Sequence, residues 1–286
     1  MSSHKEQVAF PDRKEYEYID SIFWMPQTKD FDMPTLQELC SYLDDYLQLG
    51  MYRDISQNGL QVQGAEQVDH IALAVDARQE TFRQAAEQGA QMLIVHHGIF
   101  WGRVELVTGH VYEPMRLLIE NKLALYAAHL PLDAHMEVGN NVQLAKALGL
   151  QELEPWAEYK KQVIGIRGVL PQETPINTLK ERLQQELSSV DGTVQHFGKG
   201  KENVRTVGIV TGDAANELMS AAKDGVDVLI TGEPSHVFVP FADELQTHLL
   251  CGGHYATETY GVKALGAHLE DTFGVKTTFL HVPTFA

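Results

Sequence analysis

The feature that most constrains the fold is an internal repeat. The stretch "IALAVDARQETFRQAAEQGAQMLIVHHG" (71–98) aligns without a gap on "VGIVTGDAANELMSAAKDGVDVLITGEP" (207–234). Each copy reads as apolar strand, polar turn, amphipathic helix, glycine and second apolar strand. Ala85, Ala86, Gly89, Leu93 and Ile94 match Ala221, Ala222, Gly225, Leu229 and Ile230. Strands alternating with helices of this length imply βαβ units with parallel pairing. Their continuous apolar character predicts sheets covered on both faces.

The echo continues at a changed offset. "LALYAAHLPLD" (123–133) resembles "HLLCGGHYATE" (248–258), so that His129 and Asp133 correspond to His254 and Glu258. A helix is predicted after each, in "GNNVQLAKALG" and "TYGVKALGAHLEDTFG". Two successive matches in the same order define a fold class of two related α/β halves with mixed sheets flanked by helices. The halves run from 34 to 150 and from 151 to 286. "QVIGIRGVL", "PINTLKERLQQELS" and "GTVQHFG" add a strand, a helix and a strand to the second half. Residues 1–33 read as an N-terminal extension without helical or strand period, able to lie on the body through Tyr16, Tyr18, Phe23 and Trp24. The regular protein starts with a helix in which Pro34 sits in the first turn. There Leu36, Leu39, Leu43 and Leu47 form the buried stripe.

Composition narrows the function classes. At 44% hydrophobic and 21% charged, the chain reads as globular. No apolar run is long enough to predict a membrane span, and the N-terminus has no apolar secretory core. Cys40 and Cys251 form neither a zinc ribbon nor a disulfide framework, which points to a reducing cytoplasm. A formal charge of −17 argues against sequence-blind nucleic-acid binding, which depends on Lys and Arg neutralising phosphates. Neither a P-loop nor a G-x-S-x-G elbow is present, so P-loop NTPase and α/β-hydrolase chemistry are unsupported.

The histidines are the candidate chemistry. Ligands of open α/β sheets bind beyond the carboxyl ends of strands. His96 and His97 end one predicted strand, His129 follows another and His254 a third, with Asp133 and Glu258 just beyond the last two. The doublet fits two adjacent metals; it equally fits one turn-capping ring and one exposed ring. His254 and Glu258, at i and i+4 of a helix, share a face and can share a metal, or form an ordinary surface pair. Pro131 makes "HLPLDAH" a shaped loop in which Asp133 is either a ligand or a cap. His129 is open between ligand, orienting residue and buried polar group. "QNGLQVQG" (57–64) is a turn before a short strand, and Ser235 and His236 of "TGEPSHVF" are candidates for the cleft wall. Gly232 and Glu233 stand where the first copy has its two histidines. Mixed His and carboxylate donors suit Zn, Fe, Mn or Co. Two such ions with open positions would make a nucleophile of a bridging water at neutral pH.

"NGLQVQG", "LIVHHGIFW", "HLPLDAH…GNN", "GEPSH" and "GGHYATETYGVKALGAHL", in that order over 34–286, resemble the YbgI/NIF-three family of dinuclear metal-centre proteins. The resemblance implies a toroidal homohexamer, a trimer of dimers, with two divalent metal ions per subunit. It implies that one metal takes His97, Asp133 and Glu258, and the other His96, His254 and the bridging Glu258, leaving His129 behind the ligands. Members are often labelled homologues of GTP cyclohydrolase. Three functions are weighed: a two-metal hydrolase of a nucleotide-like small molecule, a metal-handling protein that stores or inserts ions, and a ring-shaped scaffold with structural metals. Metal-dependent turnover lost with Glu258 separates the first from the others.

Overall fold

The apolar strands of the repeat pair within themselves before they pair with anything else. A computed structural model of the chain describes residues 32–103 and 105–284; the expectations for the extension, including its four aromatic residues, lie outside the described residues. The first half comprises α1 (Leu36–Tyr46), β1 (Gly59–Val62), β2 (His70–Asp76), α2 (Gln79–Glu87), β3 (Met92–His97), α3 (Tyr112–Glu120), β4 (Ala124–Ala127), α4 (Leu130–Ala134) and α5 (Asn140–Ala147). A hairpin of β5 (Gln151–Tyr159) and β6 (Gln162–Pro175) follows. The second half comprises α6 (Ile176–Leu187), β7 (Gln195–Phe197), β8 (Asn203–Ile209), α7 (Leu218–Lys223), β9 (Val228–Thr231), α8 (Val239–Glu244), β10 (His248–Cys251), α9 (His254–Thr257), α10 (Thr259–Phe273) and the last strand, β11 (Lys276–Phe279).

Two mixed sheets result, ordered β1-β4-β3-β2-β11 and β5-β6-β8-β9-β10-β7. In the first, β2, β3 and β4 are parallel and β1 is antiparallel to β4. In the second, β8, β9 and β10 are parallel and β7 is antiparallel to β10. The series β1-β4-β3-β2 thus recurs as β7-β10-β9-β8, so the duplication extends to a fourth strand and, through α1 and α6, to the preceding helix. β2, β3 and β9 are almost wholly buried, as expected of strands covered on both faces. The hairpin strand β5 carries Glu152, Glu154, Pro155 and Glu158 and gave no apolar period in the sequence; it is an edge strand held by β6.

The halves exchange their last helices. Val262, Leu265 and Leu269 of α10 pack on Ile71, Leu73, Met92 and Ile94 of the first sheet. Val142, Leu144 and Ala145 of α5 pack instead with Ile166, Val207, Val228 and Ile230 of the second. β11 then joins the first sheet parallel to β2. Gly266 makes the exchange fit, since a Cβ there would lie 2.2 Å from Leu73 Cδ1.

The α1 stripe is as expected: Leu36, Leu39, Leu43 and Leu47 are all buried. Pro34, however, lies one residue before the helix cap. Thr35 is the cap, in a reciprocal box in which Glu38 N–H donates to Thr35 Oγ1 and Thr35 N–H donates to Glu38 Oε2.

The seam is sewn by the "GNN" motif. Asn141 Nδ2 donates to the carbonyls of Asp133 and Ile164, and its Oδ1 accepts from Thr211 N–H. Asn140 Nδ2 donates to Asp133 Oδ1 while its Oδ1 accepts from Gly261 N–H. Both amides are buried, so every bond they make is one that water cannot replace. Asn141→Ala is therefore expected to destabilise the protein by roughly 2–4 kcal/mol, because it strands partners on both halves. A urea titration with an unchanged midpoint would contradict this role.

Candidate metal centre

Three parallel strands of the first sheet and two of the second, β8 and β10, end around the same cleft. β2 and β3 are in register so that Asp76 pairs with His97. β4 runs into His129 and then α4, whose first turn contains Pro131; "LPLDA" is helical rather than the loop its proline suggested, and it holds Asp133 on a fixed turn. β10 runs through Gly253, which has φ +96° and so needs glycine, into His254 at the start of α9. Glu258 sits between α9 and α10.

The donors converge. Glu258 Oε1 lies 3.2 Å from His254 Nε2 and 3.5 Å from His96 Nε2; Oε2 lies 3.3 Å from His97 Nε2. His96 Nε2 is also 3.5 Å from Asp133 Oδ1. Donors bound ~2.1 Å from one tetrahedral ion stand about 3.4 Å apart, so these separations suit ligand atoms around a cation. Three groups are close enough to hold one: His96 with Asp133 and Glu258, His97 with His254 and Glu258, and His96 with His97 and His129. Asp133 stands beside His96, Glu258 Oε1 is shared by His96 and His254, and Glu258 Oε2 faces His97, so the five residues named by the family resemblance meet at one place. His96 is fully buried and His97 partly exposed, with their rings 4.7 Å apart at the strand end.

Two tests favour a cation here. His96 Nε2 and Glu258 Oε2 are buried without a hydrogen-bond partner, which is costly for any polar atom and more so for a carboxylate. Gly212, the repeat counterpart of Asp76, has φ +70°, and a Cβ there would stand 2.3 Å from Glu258 Oε1. The backbone is hollowed out to admit that carboxylate.

Each imidazole is held by its other nitrogen. His96 Nδ1 donates to the Ala128 carbonyl at 2.9 Å, and His97 Nδ1 to Asp76 at 2.9 Å. His254 Nδ1 donates to Glu233 at 2.5 Å, and His129 Nδ1 to Asp54 at 3.0 Å. In this tautomer all four Nε2 atoms present lone pairs, the arrangement that orients metal-ligating histidines. Sequence reasoning missed Asp76 and Asp54 in this role. Asp76 was traceable, because it ends the strand paired with the doublet's strand; Asp54, in an irregular loop, left no periodic signal. Asp54 is itself fixed by Ser56 N–H and Asn58 Nδ2, while Asn58 Oδ1 accepts from His129 N–H. Gln61 Oε1 accepts from Ile99 N–H. The turn motif "QNGLQ" therefore pins the loops that carry His97 and His129. Ser235 and His236 are not among the residues lining the cleft.

The electrostatics follow from this packing. Burial alone would push His96 down, but Asp133 and Glu258 raise it to about 10. Burial is likewise outweighed at His254, which Glu258 and Glu233 raise to about 9. Burial would raise Glu258, but His97, His96 and His254 hold it well below the usual carboxylate range. At Asp54, burial is outweighed by His129, Asn58 and Ser56, and the carboxyl is held below its ordinary range. The cleft measures about 330 Å³ and is bordered by Trp101, Tyr159, Asn216 and Glu217 as well as the donors.

The fold and the centre place this chain in a class: a duplicated α/β protein with a buried His–carboxylate centre at its strand ends. Residues 34–284 match the family described as Duf34/NIF3 (NGG1p interacting factor 3), and the chain belongs to it. It is 43% identical over 247 residues to a Deinococcus radiodurans protein named GTP cyclohydrolase 1 type 2 homolog, covering 86% of this chain and 93% of that protein. A Pyrococcus abyssi protein of the same name is 44% identical over 248 residues, covering 87% and 98%. Among solved structures, protein ybgI, described as of unknown function, superposes with a TM-score of 0.81 at 34% identity, over 88% of this chain and all of that one. TTHA1606 from Thermus thermophilus gives 0.80 at 42%, with the same coverage.

The centre makes stability depend on pH when protons stand in for metal. His96 and His254, raised above an ordinary 6.5, stabilise the fold fully below about pH 6.5, and this is lost as pH rises through 9 to 10. Glu258, lowered from 4.5, contributes above that value and loses its contribution as pH falls. Chelator-treated protein is expected to be most resistant to urea between these limits and to weaken steadily towards pH 10. A flat profile from pH 6 to 10 would refute the coupling.

Proposed function

We propose that this protein is a dinuclear metal-dependent hydrolase of a nucleotide-like small molecule. The observation that carries the reading is Glu258, a buried carboxylate whose two oxygens face different imidazoles. His96, His97, Asp133, His254 and Glu258 would together hold two divalent ions, with Glu258 shared between them and Zn, Fe or Mn suited to these donors. Such a pair supplies Lewis acidity and lowers the pKa of water.

The chain's own residues supply the rest. Asp54 fixes the His129 ring through Nδ1, leaving Nε2 at the cleft to take up or return a proton, the usual division between a base and its orienting acid. His129 also lies near enough to His96 and His97 to serve as a further ligand, and the variant below separates the roles. Trp101, its indole N–H tied to the Gly98 carbonyl, forms a rigid wall against which a flat ring can rest. Asp213, Asn216 and Glu217 offer hydrogen-bond acceptors opposite. The names of the two relatives suit a cyclohydrolase-type reaction on a nucleotide, and a six-copy ring belongs to the same proposal.

Metal analysis of anaerobically purified protein, with turnover measured on a nucleotide panel, tests the reading. Two ions per chain are expected, with Glu258→Ala reducing both and abolishing turnover. His129→Ala is expected to keep its metal and lose roughly 100-fold or more in kcat. Ions that pass readily to a chelator from a protein that turns over nothing would favour metal handling instead.

A further inference from the structure

Trp101 separates two cavities of opposite character. On one side, the metal cleft is lined by Asp54, Asp133, Asp213, Glu217 and Glu258, with neither lysine nor arginine among its lining residues. On the other lies a hollow of about 590 Å³ whose charged lining is mainly basic: Arg78, Arg103 and His110, set against Ile99 and Phe100. Two arginines and a histidine gathered in one hollow stand out in a chain of formal charge −17 with 22 basic and 39 acidic residues.

The details suit an anion. Arg78 is the N-cap residue of α2, and no side chain caps that nine-residue helix. Arg78 makes no ion pair among the described residues, and it reaches the hollow from a helix start whose first turn also carries Glu80 outside the lining. Arg103 engages Glu105, the one acidic residue lining the hollow. An incoming phosphate would compete with that carboxylate for the guanidinium, and it offers three oxygens to a planar donor fork. Ile99 and Phe100 add apolar lining beside the arginines.

We infer that this hollow is an anion subsite that takes the phosphate end of a small-molecule substrate whose reacting ring lies across Trp101 in the metal cleft. The placement of the ring rests on the hydrolase reading; the anion site does not. It assigns the two ends of the substrate by charge. A donor-rich ring suits the acidic cleft, and the phosphate suits the basic hollow rather than the metals.

Calorimetric titration separates these possibilities without requiring turnover. Inorganic pyrophosphate is expected to bind chelator-stripped wild-type protein, to bind more weakly as salt rises, and to lose about tenfold or more in affinity with each arginine removed in Arg78→Ala and Arg103→Ala. Both side chains are exposed, so the fold should tolerate their loss. With metal-loaded protein, GMP should bind more tightly than guanosine, and the ratio should fall to about one in the double variant. Pyrophosphate binding only in the presence of metal, or a GMP preference untouched by the double variant, would overturn the proposal by placing the phosphate on the ions. Binding as expected with no turnover on any nucleotide would leave the subsite standing and remove the hydrolase reading instead.

Discussion

The constraint on which the centre depends is the burial of one charge. Glu258 is 2% exposed, and a carboxylate removed from water must be matched by positive charge or donated hydrogen bonds. Four imidazoles stand around it or near it, yet each donates its only Nδ1–H elsewhere: to Ala128, Asp76, Glu233 or Asp54. Their lone pairs are left facing the carboxylates. That arrangement is repulsive until a proton or a metal ion intervenes, which is why His96 and His254 are raised so far and why His96 Nε2 and Glu258 Oε2 have no partner. The surroundings hold the arrangement in place. Asn140 secures Asp133, and Gly212 leaves space for Glu258.

Duplication provides the donors and exchange brings them together. His96, His97 and Asp133 come from the first copy, His254 and Glu258 from the second. They meet because α10, which follows Glu258 directly, packs on the first sheet, and because α5, which follows Asp133, packs on the second. The copies have also diverged usefully. Glu233 occupies the position equivalent to His97, and it now holds the ring of His254. Gly212, equivalent to Asp76, makes room where its counterpart makes a hydrogen bond. Of the donors, His96 alone is shut away from solvent, while His97, His129, Asp133, His254 and Glu258 line the cleft that admits a ligand.

Much of this was legible in the residues. Hydrophobic period and repeat spacing report local backbone state, so the βαβ units, the α1 stripe and the strand-end positions of the histidines could all be read directly. Features without a period could not. β5 is a polar edge strand whose partner alone defines it, and Asp54 sits in an irregular loop 75 residues from the imidazole it orients.

By itself, then, the sequence determined two related α/β halves and which side chains stand at the carboxyl ends of their strands, because alternation and helical period act over a few residues. Only the tertiary structure decided which histidine meets which acid, that the last helices cross to the opposite sheet, and that an acidic cleft and a basic hollow share one tryptophan. Those outcomes depend on packing between segments far apart in the chain, where a side chain's direction and burial are set by its neighbours in space.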